Sequence, residues 1–231
     1  MLIKWNQLPE TMSTEKVRKY YNILNKRKGG LFVKRVFDLI VSLIMIILLS
    51  PVLALLAIWI KIDSEGPVFY RQVRVTTGGR DFRIFKFRTM VVNADKIGAL
   101  ITAEHDPRIT EVGNKLRKCR LDELPQLFNI FLGEMSFVGT RPEVRKYVDK
   151  YTDEMNATLL LPAGVTSLAS VCYKDEDEIM AEYTAKGISI DEAYVKYVLP
   201  DKMKYNLEYL RDFSFFGDIG LMIKTIVSVL K

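Results

Sequence analysis

Histidine and cysteine are scarce in this chain of 231 residues, which has one histidine, His105, and two cysteines, Cys119 and Cys172. A mechanism that needs a triad of histidines or a multi-histidine metal site is therefore excluded. Two cysteines cannot form a disulfide framework, and they fit a reducing compartment.

The net positive charge of the chain comes from its first residues. Residues 1–35 hold nine Lys or Arg against two acidic residues, a local charge of +7, so the remaining residues sum to −1 within the total of +6. A basic N-terminal arm, residues 1–30, suits an anionic surface such as lipid headgroups or nucleic acid. The weakly acidic remainder argues against a nucleic-acid groove. Within the arm, apolar residues at helical spacing predict a short interfacial helix: Val17, Tyr20, Tyr21 and Leu24.

The longest apolar run, Leu39–Ile60, contains 22 residues without a charge. As a helix it would reach about 33 Å, close to the thickness of one bilayer core. It is too long and begins too late for a signal peptide. We therefore expect a membrane helix over residues 31–62.

Two topologies of this helix remain open from the residues alone. A single pass through the bilayer is the ordinary interpretation of such a run. However, Pro51 at its centre bends or breaks a helix, and the hydroxyl of Ser50 is a candidate partner for the freed carbonyl of Ile47. Basic residues also flank the run on both sides, so both ends have the character of cytoplasmic segments. A kinked helix that enters and leaves through one leaflet satisfies both observations.

After the membrane segment, residues 68–75 and 81–88 have the pattern of paired strands joined by residues 76–79. This basic hairpin has six cations that suit either an anionic ligand or a solvated face: Arg71, Arg74, Arg80, Arg83, Lys86 and Arg88. Helical patterning returns from Asn114, and further helices are predicted over residues 143–160, 175–197, 201–211 and 218–230. The last should be amphipathic, with its apolar residues inward: Ile219, Met222, Ile223, Ile226 and Val227.

The densest group of charges surrounds Asp122 and Glu123 in the segment 117–125. A carboxylate near several cations has a lowered pKa, remains ionised, and can act as a nucleophile or a Mg²⁺ ligand. The alternative is a surface ion pair between Arg120 and Glu123 at i, i+3. Two further motifs suit phosphate: Arg141 in the turn 139–143, and the segment 86–88 at the end of the hairpin.

Several ordered blocks of sequence resemble a known family, the bacterial sugar transferases called monotopic phosphoglycosyl transferases. The resemblance covers roughly residues 32–230. The blocks are KRVFDLI (34–40), the apolar run with Ser50 and Pro51, IKIDSEGPVFYRQVRV (60–75), FKFRTM (85–90), DPRIT (106–110), LDELPQLFNIFLGEMSFVGTRPE (121–143) and PAGVTSLASV (162–171).

The resemblance implies a specific reaction. Members of this family transfer a sugar-1-phosphate from a UDP-sugar to undecaprenyl phosphate, release UMP and require Mg²⁺. They begin the assembly of capsule, exopolysaccharide, O-antigen or glycoprotein glycans at the cytoplasmic face of the bacterial inner membrane. By the same resemblance, Asp122 and Glu123 are the nucleophile with its partner and also the metal site. Ser50 and Pro51 mark a re-entrant helix–break–helix.

The sequence therefore predicts an α+β fold that is mostly helical. It would combine the re-entrant helix, the basic hairpin and amphipathic interfacial helices around a small cytoplasmic catalytic domain, residues 63–231. The expected substrate-binding residues are Lys86, Arg88, Arg120, Arg141 and Pro142. The expected partners are the UDP-sugar, undecaprenyl phosphate and the bilayer, with a homodimer possible and no nucleic acid.

Four residues depart from the family pattern: Thr76, Thr140, Ser167 and Ser170. Thr140 replaces the first proline of a Pro-Arg-Pro motif, and Thr76 stands where the hairpin turn usually has glycine. Ser167 and Ser170 replace a glycine and a glutamine, with a possible bearing on sugar choice. Two rival functions are a non-catalytic membrane-anchored scaffold or regulator of polysaccharide export, and a phosphohydrolase that transfers to water.

Overall fold

The computed structural model describes residues 2–94, 106–173 and 176–230, without the side chains of residues 177, 229 and 230. His105 and the first residue of the helix predicted over 175–197 lie outside these ranges. The described chain is mostly helical with small sheets. Its helices are α1 (Glu15–Lys26), α2 (Lys28–Asp63), α3 (Glu111–Lys118), α4 (Gln126–Leu132), α5 (Arg145–Val148), α6 (Leu168–Cys172), α7 (Glu176–Ala185), α8 (Ile190–Ala193), α9 (Leu199–Asp212) and α10 (Phe215–Leu230).

The strands form three two-stranded ladders. They are β1 (Phe69–Tyr70) with β4 (Lys86–Phe87), β2 (Val73–Thr76) with β3 (Arg80–Arg83), and β5 (Met135–Val138) with β6 (Ala163–Thr166). The first two ladders are antiparallel and the third is parallel. Between β2 and β3 the chain reverses through Gly78 and Gly79, whose φ angles of 70° and 71° favour glycine.

The first helix packs inside the protein. Thr14 caps α1 by accepting a hydrogen bond from the Val17 amide. Val17, Tyr20 and Leu24 are buried in a core shared with residues of the segment 157–161 and of α9. The predicted helix is present, but the prediction that it lies in the membrane interface is wrong, because its apolar side chains face protein instead of lipid.

Helix α2 is buried against the rest of the chain near each of its ends. Its buried residues recur every three or four positions near both ends: Leu31, Lys34, Asp38, Ser42, Leu56 and Ile60. Large apolar side chains cover the opposite side, and Ile47, Leu48 and Leu55 are more than 60% exposed. Among the described residues, α2 is the one helix long and apolar enough to cross a membrane.

Helical residues continue without interruption through Ser50 and Pro51. The expected loss of helix at this pair is thus not observed. Pro51 cannot donate to the carbonyl of Ile47, and the Ser50 hydroxyl donates to that oxygen instead, at 2.8 Å. This replacement bond, which the sequence predicted, accounts for the continuity of the helix.

Three predicted helices after residue 143 differ from the structure. In place of a helix over 143–160 there are α5 and a 3-10 turn, Met155–Leu160. The helix predicted over 175–197 ends near Gly187, which has a φ of 82°. Helix α10 exposes Ile223, Ile226 and Val227, which were expected to face inward. It turns this way because the buried Asp218 on its other side pairs with Lys34 of α2 at 2.5 Å.

Candidate active site

Asp122 and Glu123 occupy a 3-10 turn, Leu121–Glu123, that follows α3. Arg120 precedes the turn in the left-handed conformation, with a φ of 55°, and so reverses the chain after the helix. The two neighbouring carboxylates line different cavities. Asp122 lines one of about 400 Å³ and Glu123 lines one of about 790 Å³.

Cations from distant parts of the chain surround Glu123. The Lys86 ammonium lies 2.8 Å from its Oε1, and the Arg141 guanidinium lies 3.8 Å from the same oxygen. Burial alone would raise the pKa of Glu123, but attraction to Lys86 and Arg141, with the hydrogen bond from Lys86, lowers it to about 2. Glu123 is therefore ionised, as expected for a carboxylate among cations.

Asp122 behaves in the opposite way. It is 9% exposed, and burial raises its pKa; attraction to Lys86 opposes this shift, the charge of Glu123 adds to it, and Arg117 lowers the pKa by a smaller amount. The expectation of a lowered pKa is thus wrong for Asp122, because its burial outweighs the attraction of the nearby cations. Asp122 faces a cavity whose wall includes Arg71, Arg74 and Arg117.

Arg120 is not the partner of Glu123. In the described ranges, the cations within 4.0 Å of Glu123 are Lys86 and Arg141. Arg120 is exposed and lines the larger cavity together with Glu123 and Arg141. The local i, i+3 ion pair considered for the sequence is therefore replaced by long-range pairs.

Arg88 lines the cavity that Asp122 faces, and its guanidinium is also bound to main-chain carbonyls. Its side chain is buried, and its guanidinium donates to the carbonyls of Ser64, at 2.7 Å, and of Glu65. A longer bond of 3.4 Å reaches the carbonyl of Ile60 near the end of α2. Orphan carbonyls at a helix C-terminus attract a cation, so Arg88 fastens the end of α2 to β4.

The residues on either side of Arg141, Thr140 and Pro142, both form hydrogen bonds to other parts of the chain. The carbonyl of Thr140 accepts from the Gly164 amide at 2.8 Å, and the Thr140 hydroxyl donates to the carbonyl of Thr158 at 3.3 Å. Pro142 contributes its carbonyl, which accepts from Arg74 at 3.1 Å. Threonine in place of the first proline of the motif thus still leaves a fixed turn.

The other three departures also make defined contacts. Thr76 is buried, donates to the carbonyl of Glu134 at 2.7 Å and accepts from the Ala163 amide at 3.2 Å. Ser167 caps α6 by accepting from the Ser170 amide, and the two hydroxyls lie 2.7 Å apart. Ser170 lines the larger cavity.

Sequence reasoning missed three residues around the site: Asn129, Tyr194 and Lys202. The Asn129 side chain, which is fully buried, accepts from the Phe85 amide and donates to the carbonyl of Arg83, at 2.7 and 3.0 Å. It thereby fixes the strand end that presents Lys86. A polar residue within the apolar segment 124–132 was the signal that would have marked it.

The two carboxylates suit a hard cation only in part. No cluster of three or more His, Cys, Asp or Glu side chains occurs within the residues that the structure describes. Mg²⁺ commonly takes one or two protein carboxylates and completes its ligands with water and substrate phosphates. Asp122 and Glu123 supply the carboxylates for that kind of site, although they line different cavities and Glu123 is also held by Lys86.

A comparison with protein families matches residues 29–231 to the model described as bacterial sugar transferase. The chain belongs to the bacterial sugar transferase family. The chain is 36% identical over 202 residues to the UDP-N-acetylgalactosamine-undecaprenyl-phosphate N-acetylgalactosaminephosphotransferase of Aeromonas hydrophila, covering 86% of the chain and 44% of the relative.

Two further relatives have comparable similarity to the chain. The UDP-glucose:undecaprenyl-phosphate glucose-1-phosphate transferase of Escherichia coli (strain K12) is 32% identical, covering 84% of the chain and 39% of the relative. The undecaprenyl-phosphate galactose phosphotransferase of Salmonella typhimurium is 33% identical, with coverages of 91% and 43%. The chain spans about two fifths of the length of these three relatives.

Proposed function

We propose that this protein transfers a sugar-1-phosphate from a UDP-sugar to undecaprenyl phosphate through a covalent intermediate on Asp122. The observation that carries the proposal is the placement of a buried carboxylate, Asp122, in a cation-lined cavity, beside a glutamate held by Lys86 and Arg141. Three relatives named as undecaprenyl-phosphate sugar phosphotransferases support the overall transfer of a sugar phosphate to undecaprenyl phosphate.

The reaction takes two displacements. In the first, a carboxylate oxygen of Asp122 attacks the phosphorus that bears the sugar, and the bond from that phosphorus to the bridging oxygen breaks. UMP leaves with that oxygen, and an acyl phosphate joins Asp122 to the sugar. In the second, a phosphate oxygen of undecaprenyl phosphate attacks the same phosphorus, and the bond to Asp122 breaks. The product is undecaprenyl diphosphate sugar, and the carboxylate is regenerated.

The surrounding cations would stabilise charge as it moves onto the phosphate oxygens. Lys86 and Arg141 are within reach of the turn that carries Asp122 through their contacts with Glu123. Arg71, Arg74 and Arg117 line the cavity that Asp122 faces. Glu123 orders both cations, since one of its oxygens accepts a hydrogen bond from Lys86 and forms a longer ion pair with Arg141. When Mg²⁺ is bound, Asp122 and Glu123 would hold it, and it would offset the charge of the diphosphate.

Contacts of α2 support a location at one face of the membrane. Near its start, Lys34 donates to the carbonyl of Val138 at 2.7 Å, and Asp38 accepts from the Phe137 amide at 3.2 Å. Near its end, Ile60 packs with Phe87 and other residues of the same domain. Both ends therefore lie on one domain, which favours a re-entrant helix over one that crosses to the other side. The basic residues at both ends favour the cytoplasmic face.

Mass spectrometry of the full chain, incubated with donor and Mg²⁺ but without lipid, tests the central step. A phosphosugar adduct on the peptide that contains residue 122, with one equivalent of UMP released, is expected. Asp122→Asn should abolish both while the melting temperature stays close to that of the wild type. Asp153→Asn, at an exposed position, is the matched control.

Other outcomes separate the rival functions. An active preparation that never forms the adduct would exclude the covalent mechanism. Continuous formation of free sugar phosphate without the lipid would indicate a phosphohydrolase. Absence of UMP release with any UDP-sugar in a panel, with lipid present, would favour a non-catalytic scaffold.

A further inference from the structure

A group of buried polar side chains contacts the turn that carries Arg141. Glu143, Tyr194 and Lys202 are each at most 8% exposed. The Tyr194 hydroxyl donates to Oε1 of Glu143 at 2.5 Å, and the Lys202 ammonium donates to the Tyr194 hydroxyl at 3.1 Å. The same ammonium donates to Oε1 of Glu176 at 3.1 Å and lies 3.8 Å from Oε1 of Glu143. The three side chains form a connected network, which we call the Glu143 network.

The Glu143 network adjoins the candidate active site. Glu143, Tyr194 and Lys202 line a cavity of about 150 Å³ together with Arg74 and Arg141. Lys202 and Arg141 also line the larger cavity that contains Glu123. The main chain of Glu143 is fixed too, because its carbonyl accepts from the Val75 amide of β2 at 2.9 Å.

Glu143 is a potential competitor for Arg141. It lies two residues after Arg141, and its negative charge contributes, after Glu123, to raising the pKa of Arg141 against the effect of burial. Among the described residues, however, the carboxylate within 4.0 Å of Arg141 is that of Glu123, not that of Glu143. Tyr194 donates a hydrogen bond to Glu143 instead, and the Lys202 ammonium adds a positive charge 3.8 Å from the same carboxylate. A buried carboxylate deprived of such partners would turn to the nearest cation.

A local feature of the backbone brings the two partners of Glu143 together. Tyr194–Val198 is a π-helical turn between α8 and α9, and Lys202 lies in the first turns of α9. Upstream, Asp191 of α8 accepts from the Tyr147 hydroxyl at 2.7 Å, which anchors the start of this segment. Inserted π-turns are frequent at functional sites, because they redirect side chains within a helix.

We propose that Tyr194 and Lys202 are positioning residues that hold the Glu143 carboxylate and so keep Arg141 available to the phosphates of the substrate. The proposal rests on the proposed function, in which Arg141 contacts the donor. Loss of either residue releases Glu143 to pair with Arg141, and the protein then binds the diphosphate less tightly.

Calorimetric titration of the full chain in detergent with UDP tests this relay, by which we mean the effect of Tyr194 and Lys202 on Arg141 through Glu143. Tyr194→Phe should weaken UDP binding roughly fivefold, as expected for one lost hydrogen bond in the network. Lys202→Met should act in the same direction, and Lys202→Arg should retain most of the affinity. Tyr197→Phe is the matched control, because Tyr197 lies in the same π-turn but stacks on Tyr183.

Two double variants give a result that a merely structural role would not produce. In an Arg141→Ala background, Tyr194→Phe should cause no further loss of UDP affinity. In a Tyr194→Phe background, Glu143→Gln should restore affinity close to that of the wild type, since it removes the competing charge.

Additive losses in the first double variant, or no recovery in the second, would overturn the relay. Unchanged UDP affinity in Arg141→Ala would overturn it as well. If Tyr194→Phe fails to fold, the same rescue by Glu143→Gln is measured with Lys202→Met. If the wild-type protein forms the Asp122 adduct but Glu143→Gln does not restore UDP affinity in the variants, the role of Tyr194 and Lys202 alone is refuted. Absence of the adduct in the wild-type protein refutes the proposed function.

Discussion

The Lys86 ammonium lies 2.8 Å from Oε1 of Glu123, a residue 37 positions later in the chain. Both side chains are less than 25% exposed. This contact joins β4 to the turn Leu121–Glu123, so it places a cation beside Asp122 and compensates the charge of the neighbouring glutamate at the same time.

Replacement of Lys86 by methionine should reduce turnover roughly a hundredfold, the usual cost of losing a charge-stabilising donor in an active site. Lys86→Arg keeps the charge and should lose less. The measurement is the rate of UMP release at saturating donor and lipid. Lys150→Met, at an exposed position, should leave the rate unchanged. A Lys86→Met variant with wild-type turnover would show that Lys86 does not take part in catalysis.

Glu123 should stabilise the fold in a pH-dependent way. Its pKa is lowered from 4.5 to about 2, so its contribution is fully present above pH 4.5 and is lost as the pH falls towards 2. Glu123→Gln should therefore lower the melting temperature at pH 7 more than at pH 3. A difference between the two proteins that grows on acidification would contradict the ion pairing seen here.

Arg88→Met should destabilise the protein by about 3 kcal/mol, since buried carbonyls near the end of α2 lose a charged donor. UDP affinity, measured on the folded fraction, should stay within about twofold, a shift well below 1 kcal/mol. Thermal unfolding and titration with UDP check the two parts separately. A stable variant with strongly weakened UDP binding would instead support the phosphate contact that the sequence suggested for Arg88.

Asn129→Leu should cost about 3 kcal/mol of stability, because the amide of Phe85 and the carbonyl of Arg83 lose their partner inside the protein. Turnover should also fall, since Lys86 directly follows Phe85. Asn156→Leu serves as the control, because Asn156 makes one long bond of 3.3 Å to the carbonyl of Thr11. Equal melting temperatures for the two variants would argue against this role of Asn129.

Cysteine labelling tests the topology of α2. With Cys119 and Cys172 replaced by serine, Val33→Cys and Ile62→Cys should react with an impermeant maleimide from the cytoplasmic side alone. Both positions are exposed on the protein, and Ile62 is 79% exposed. Helix α2 is about 54 Å long, well beyond one bilayer core of about 30 Å. Labelling of one position from the outer side would establish a spanning helix.

Local patterns in the sequence identified several features that the structure contains. The uncharged run Leu39–Ile60 lies within α2, and the hydroxyl of Ser50 bonds to the carbonyl of Ile47 as predicted. Helices α9 and α10 include the segments 201–211 and 218–230. These features depend on composition, spacing and neighbouring residues, which a sequence displays directly. The family likewise followed from ordered blocks of residues.

Only the tertiary structure decided which partner each charged side chain has. Arg88 and Lys86 stand two residues apart, yet one holds carbonyls at the end of α2 and the other holds Glu123. Likewise, Asp218 pairs with Lys34 and thereby turns the apolar residues of α10 outward. Burial and long-range pairing determine these outcomes, because a charge that leaves water must find a partner wherever the fold provides one. The spacing of residues along the chain does not predict that partner.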